Sequence, residues 1–339
     1  AINKEYGRRI SVVGGKQPYA GGVFYAKDAF EGLDIMDSLS NDNEKDNFIQ
    51  KVKDEAIKFS MRSTDKKEPV IEEMSIQKSA VKELTESVSP PFWGVKTLNP
   101  EEIDLRDVFE HLSLSELFRL SWGGRGKSKE EYQKLIDSEF RPTLEKLQDD
   151  IIKNKTLLPK IVYGYFPCQS EGNTLSLYDP EDQGKLLVEF TFPRQKKEPH
   201  LCLSDYFKSK SSGGMDVIAL QVVTVGDKAS TICDELSEAG KYTESYYLHG
   251  LSVQTAEALA SYSHSRILKE LNLPEDRGKR YSFGYPACPE LDDQTKFMEV
   301  LSVEKNIGVS LSEAFQLIPE QSTSALIIHH PDAVYYRVS

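Results

Sequence analysis

The sequence predicts an α+β fold built on a twisted, mostly antiparallel sheet flanked by helices. Short alternating or apolar runs cluster at residues 161–224 and return at 324–338, instead of alternating with helices as a doubly wound fold requires. Helical periodicity dominates the segments around them, most clearly over residues 243–272. No Gly-x-Gly-x-x-Gly or Walker pattern occurs, so neither a dinucleotide fold nor a phosphate loop is indicated.

In chain order, Arg9–Val13 and Gly22–Ala26 read as strand material. Asp28 stands where it can cap a helix carrying Phe30, Leu33, Ile35, Met36 and Leu39. Residues 42–91 are charged, with Phe48, Val52, Ala56 and Phe59 as a narrow stripe on one helix, and Thr64–Glu68 as solvated linker. Pro90-Pro91-Phe92-Trp93-Gly94 ends this stretch, so residues 92–339 form the main domain. Two short helices follow over Asp104–Trp122, then a charged helical region over 128–154 broken near Pro142. Strands are expected at Ile161–Phe166, Thr174–Tyr178, Leu186–Phe190, Asp216–Val223 and Ser324–His330, with a short helix through Phe297 and Val300. Asp205 reads as a structural group that caps or orients backbone, and Ser211–Gly214 as a flexible turn.

The 339 residues carry a net charge of −12 and a mean hydropathy of −0.47. That charge argues against a nucleic-acid partner. No run of 18 apolar residues suits a membrane span. Cys168, Cys202, Cys233 and Cys288 are scattered without a CxxC pair, which fits reduced thiols in a cytoplasmic protein and no metal site. The chain opens at Ala1 without a signal-peptide pattern, which suggests a fragment of a longer polypeptide.

The densest chemistry lies in Arg280–Pro289. Arg280 offers a planar fork of donors for a carboxylate or phosphate. Tyr281, Phe283 and Tyr285 offer flat apolar faces, while Gly284, Pro286 and Pro289 set the backbone. On composition alone, a Pro-capped turn with its aromatics in the core is the plainer reading.

The run Arg280-x-x-x-Gly284-Tyr285-Pro286-Ala287-Cys288-Pro289 resembles the S-adenosylmethionine-binding signature of the C-terminal activation domain of cobalamin-dependent methionine synthase. Val162–Pro167, Leu201–Tyr206, Asp216–Val223, Ala256-Glu257-Ala258 and His330-Pro331-x-x-x-Tyr335-Tyr336 are similar to that family in the same order. The resemblance implies a C-shaped α+β domain with its ligand in a shallow groove. It also implies that residues 1–41 are the end of a cobalamin-binding domain and that 42–91 are its linker. The Asp-x-His-x-x-Gly motif that supplies the cobalt's lower ligand is absent, so cobalamin is expected to be held by another domain.

Carried onto this sequence, the resemblance puts Arg280, Tyr281, Gly284, Tyr285, Glu257, Tyr335, Tyr336 and Ser113 at the ligand. Arg280 then meets the ligand's carboxylate and Glu257 its ammonium. Ser113 stands where the family usually has Asp, and reads equally as a helix cap; Glu257 reads equally as a solvated carboxylate, and His264 as a structural histidine. No catalytic base is expected. The implied activity is reductive methylation of oxidised cobalamin, with an electron from a flavodoxin-like or ferredoxin-like donor. Arg194–Lys197 and Arg125–Lys129 are the basic segments available for docking such a donor, and both read equally as solvated loops. Two other classes stay open: a binding module without catalysis, and a stand-alone methyltransferase with another acceptor.

Overall fold

The structure is a computed structural model that describes residues 12–13, 17–18, 23–24, 26, 29–41, 45–64, 79–86 and 88–338. The chain divides into two compact units, Ala1–Ile76 and Gln77–Ser339.

In the first unit, β1 (Val12–Val13) pairs antiparallel with β2 (Gln17–Pro18), followed by α1 (Ala29–Ser40) and α2 (Lys45–Thr64). The expected strand at Gly22–Ala26 is not formed at its described residues 23, 24 and 26. Pairing is instead local, between Val12–Val13 and Gln17–Pro18. Phe48 of α2 stacks on Phe24 with ring centroids 5.5 Å apart. Asp28 and residues 65–78 of the linker lie outside the described residues.

The second unit begins upstream of Phe92: Val81 packs into one of its cores and Val88 into the other. β3 (Gly94–Leu98) follows, unforeseen in the sequence. Asp104 caps α3 (Leu105–Phe109) by accepting the Arg106 N–H at 2.9 Å. Ser113 caps α4 (Leu114–Glu116), accepting the Glu116 N–H at 3.4 Å. α5 (Lys129–Leu135) starts on a reciprocal Ser128/Glu131 capping box. It runs through one wide π turn at Ile136–Phe140 into α6 (Arg141–Asn154). The break expected at Pro142 is therefore a widened turn just before it, with the proline in the first turn of α6.

The sheet contains β4 (Lys160–Glu171), β5 (Thr174–Tyr178), β6 (Leu186–Thr191), β7 (Asp216–Thr224), β8 (Lys279–Tyr281) and β11 (Ser322–Ile328). Its order is β6-β5-β4-β7-β11-β8, with β3 added against β4, and every pairing is antiparallel. Between β7 and β8 lie α7 (Lys228–Glu238) and the long α8 (Tyr242–Glu270). α9 (Gln294–Val300), α10 (Val303–Ile307) and the small β9–β10 hairpin (Ser310–Leu311 with Leu317–Ile318) precede β11.

Both faces of this sheet are covered, which explains its nearly unbroken apolar strands. Ile161, Tyr163 and Tyr165 of β4 face one core with Leu251, Leu259 and Ile267 of α8. Val162, Phe166 and Cys168 face the other with Phe190, Phe297 and Leu301. Successive strand residues point oppositely, so each central strand serves two cores. β3 approaches β4 closely because Gly164 leaves room: a Cβ there would lie 2.6 Å from the Gly94 carbonyl oxygen. The expected sheet segment at 324–338 ends at Ile328, and residues 329–338 are irregular.

All four cysteines are free and buried. Among the described residues, no helix is long and apolar enough to cross a membrane.

Candidate functional site

The Gly284–Pro289 stretch leaves the end of β8 as a tight turn. The Cys288 N–H donates to the Tyr285 carbonyl, and the Gly284 N–H to the Cys288 carbonyl, both at 2.9 Å. Pro286 occupies the second position of that turn, where its fixed φ suits the geometry. Below it, Cys288 donates its S–H to the Ser282 carbonyl, and burial pushes its thiol up to about 12. Phe283 is held in the core, edge-on to Phe297 at 5.0 Å. The loop's aromatics thus divide: Phe283 anchors, while Tyr285 stands 66% exposed.

Gly284 takes φ +85°, and a Cβ on it would sit 3.1 Å from Leu291 Cδ2. Gly284→Ala is expected to destabilise the unit by about 1–2 kcal/mol, the usual cost of a left-handed alanine. Urea unfolding reads this as a lower midpoint at unchanged slope; an unshifted midpoint would show that the turn does not need glycine.

Arg280 lies in β8, opposite Ile327 of β11, and turns toward α8. Its guanidinium donates to Ser261 Oγ at 3.1 Å and stands 3.9 Å from the Glu257 carboxylate. Ser261 and Glu257 are one turn apart on α8, so one helix face presents both partners. The Glu257 side chain is 53% exposed and the pair is long, so the ion pair itself adds little stability. Among the described residues Ser261 is Arg280's only hydrogen-bond partner, out of five possible donors.

His264, on the same helix, is pushed down to about 4 by burial, with the positive charges of Arg280 and Lys279 adding to it. It is neutral near pH 7 and keeps a third positive charge away from Arg280 and Lys279. Because the folded state binds the proton less readily than the unfolded chain, stability is expected to fall as pH drops from about 6.5 toward about 4. His264→Gln should flatten that part of a pH–melting-temperature profile; an unchanged slope would assign the loss to other groups.

The chain's end returns to this spot. Tyr335 is 67% exposed, with its ring 5.5 Å from that of Tyr281. The Tyr336 hydroxyl is buried, and burial raises its pKa. Tyr281 is buried and donates to the Val334 carbonyl at 2.7 Å, so its ring forms wall while its hydroxyl holds the chain end. Of these tyrosines, Tyr335 alone is largely exposed.

These residues line one cavity of about 770 Å³. One wall carries Glu257, Arg280, Tyr281, Tyr285, Tyr335 and Tyr336. A further, polar part of the wall was not anticipated: Gln294 from α9, Gln316 in the turn of the β9–β10 hairpin, Glu320 after it, and Ser322–Ser324 opening β11. The polar start of an otherwise apolar strand, Gln321-Ser322-Thr323-Ser324, was the available signal. Gln294 bridges that wall, donating to the Phe315 carbonyl at 2.6 Å and accepting from Ser324 Oγ at 2.8 Å. Ser113 is not among the lining residues; it serves as the cap of α4. Gly284 shapes the turn without lining the cavity.

Residues 101–339 match the family described as vitamin B12 dependent methionine synthase, activation domain. Methionine synthases of Mycobacterium tuberculosis and Mycobacterium leprae are each 34% identical, over 362 and 368 aligned residues respectively, which is 94% of this chain in both. The chain spans 30% of the length of either relative. The crystal structure of the MetH reactivation domain bound to AdoHcy is 25% identical and superimposes with a TM-score of 0.65, covering 75% of this chain and 83% of that one. By the extent of the family match, this chain belongs to the activation-domain family of vitamin B12-dependent methionine synthases.

Proposed function

We propose that this chain binds S-adenosylmethionine in the cavity beside Arg280 and serves the reductive methylation of oxidised cobalamin held by another domain. The observation that carries this reading is the Arg280–Glu257 pair on one rim, 3.9 Å apart and weakly committed to each other. A zwitterionic amino-acid end offers each of them an opposite charge: carboxylate for the Arg280 fork, ammonium for Glu257. The volume falls in the usual range for small-molecule sites. The AdoHcy bound to the related reactivation domain supports the same ligand class.

Bound S-adenosylmethionine supplies an electrophilic methyl on its sulfonium. In this reading Ser282, Phe283 and Tyr285, which line the same cavity, grip adenosine beside the carboxylate site. The exposed Tyr335 ring can face the sulfonium, a contact worth about 0.5–2 kcal/mol. No side chain need move a proton, since displacement at a sulfonium depends chiefly on positioning.

The cobalamin-binding domain of the same polypeptide or complex is the required partner, so the isolated chain should bind ligand without turnover. A flavodoxin-like or ferredoxin-like donor supplies the electron. Within Arg194–Lys197, Arg194 itself is committed to the fold, since its guanidinium is 9% exposed and donates twice to Asp205, at 2.5 and 2.7 Å, while Lys196 and Lys197 are exposed. Arg125, Lys127 and Lys129 are exposed as well, so both segments keep cations available for docking. Four free, buried cysteines suit a reducing cytoplasm.

The test combines the full chain, a separately prepared cobalamin-loaded domain, a chemical reductant and S-adenosylmethionine, with methylcobalamin followed by absorbance. Formation only when all components are present is the expected result. Ligand binding without methylcobalamin would reduce the chain to a binding module.

A further inference from the structure

Residues 79–86 lie upstream of the region matched to the family, and their charged composition reads as solvated linker. They instead form a strap fastened along the second unit at five points. Ser79 Oγ donates to Asp205 at 2.7 Å, and Val81 packs into the core that contains Tyr281 and Phe283. The Lys82 carbonyl accepts from His330 Nε2 at 3.0 Å, and the Glu83 carboxylate accepts the Ser209 N–H at 2.9 Å. Glu86 meets the Arg277 guanidinium at 3.5 Å.

We propose that this strap is part of the ligand-binding apparatus, with His330 as the positioning residue that ties it to the loop bearing Tyr335 and Tyr336. The tautomer follows from the hydrogen bonds. The Asp332 N–H donates to His330 Nδ1 at 3.1 Å, so Nδ1 is unprotonated and Nε2 carries the proton given to Lys82. One 1%-exposed ring therefore spans strap and loop, using both nitrogens. The loop is set further by the Ala333 N–H donating to the His330 carbonyl and by Tyr281 holding Val334.

A second fastening, at Arg277, reaches the segment that leads into β8. Arg277 donates to the His329 carbonyl at 3.0 Å while meeting Glu86, and it precedes β8 by two residues. Between them Gly278 lies so close to β11 that a Cβ would be 2.2 Å from the Ile328 oxygen. Strap position is thus relayed to both Arg280 and Tyr335 without touching the ligand.

This inference rests on the S-adenosylmethionine reading, and its test separates the two. In the full chain, calorimetry with S-adenosylmethionine compares wild type with the strap variant Ser79→Ala/Glu83→Ala/Glu86→Ala, with His330→Asn and with His330→Gln. Glutamine places a donor near the Nε2 position; asparagine reaches only the Nδ1 position. The strap variant and His330→Asn should each weaken binding about 3- to 30-fold, the range for coupled residues away from a ligand. His330→Gln should recover most of the loss. Combining the strap variant with His330→Asn should cost no more than the worse of the two alone. Unchanged affinity in the strap variant, or full additivity, overturns the proposal. Should wild type not bind S-adenosylmethionine, that reading falls, and amide exchange decides the coupling. Faster exchange at Asp332 and Ala333 in the strap variant supports it, and equal exchange overturns it.

Discussion

Replacing Arg280 by alanine is expected to weaken S-adenosylmethionine binding by about 30- to 1000-fold. Losing one partner of a largely desolvated, hydrogen-bonded charge pair costs about 2–4 kcal/mol, and each 1.4 kcal/mol is tenfold. Arg280 meets the conditions for a loss of this size: its side chain is 22% exposed, and its strand is pinned at Ile327. The change also leaves Glu257 without its positive neighbour, so the ammonium site loses its orientation as well. Arg280→Lys keeps the charge but not the planar fork, and should fall between, at about tenfold. Neither change should alter folding much, because the Arg280–Glu257 pair is long and half-exposed. Isothermal titration paired with a melting curve checks both halves. Undiminished binding by Arg280→Ala would remove the carboxylate site from this cavity.

The largest effect on stability is expected from Asp205→Ala. Asp205 was anticipated as a cap for nearby backbone, and it does accept the Cys202 N–H at 3.1 Å. Its heavier duty is to face Arg194 through two short hydrogen bonds, with both side chains about one-tenth exposed. Removing the carboxylate strands a buried guanidinium, which typically costs about 3–5 kcal/mol. Arg194 keeps bonds to Asn173 Oδ1 at 2.9 Å and to the His200 carbonyl at 2.8 Å, which moderates the loss without restoring neutrality. Asp205→Asn retains an acceptor and should cost less. Urea unfolding of the second unit's transition reads the difference. A cost below about 1 kcal/mol would mean that water replaces the carboxylate and that the pair is not buried in solution.

Helices and central strands were legible in the sequence because their signals are local. The small-residue stripe of α8 and the apolar runs of β4, β7 and β11 need only neighbouring residues to be read. What escaped depends on distant partners. β3 is five residues long and forms where Gly164 of β4 lets the Gly94 backbone approach. β8 is three residues long and is a strand only because Ile327 lies opposite Arg280. The strap at 79–86 is fastened mostly by polar atoms to backbone groups and buried ions, which leaves no apolar periodicity.

The candidate site divides in the same way. Arg280, Glu257, Tyr285 and Tyr335 carry chemistry in their side chains, and the fold brings them to one cavity from three separate segments. Tyr335 and Tyr336 are neighbours that differ in exposure, and they sit on an irregular loop with no strand periodicity to read. Ser113 lies outside the lining of this cavity and accepts the Glu116 N–H as a helix cap, the alternative that its sequence position also offered. The polar wall of Gln294, Gln316 and Glu320 has no motif, because its members converge from α9 and the hairpin only after folding.

The most direct measurement is a crystal structure of the full chain with S-adenosylmethionine bound. The predicted result places the ligand's carboxylate on Arg280, its ammonium at Glu257, its adenosine along Ser282–Tyr285 and the Tyr335 ring beside the sulfonium. Ligand bound elsewhere, or bound here with its carboxylate away from Arg280, would contradict the account.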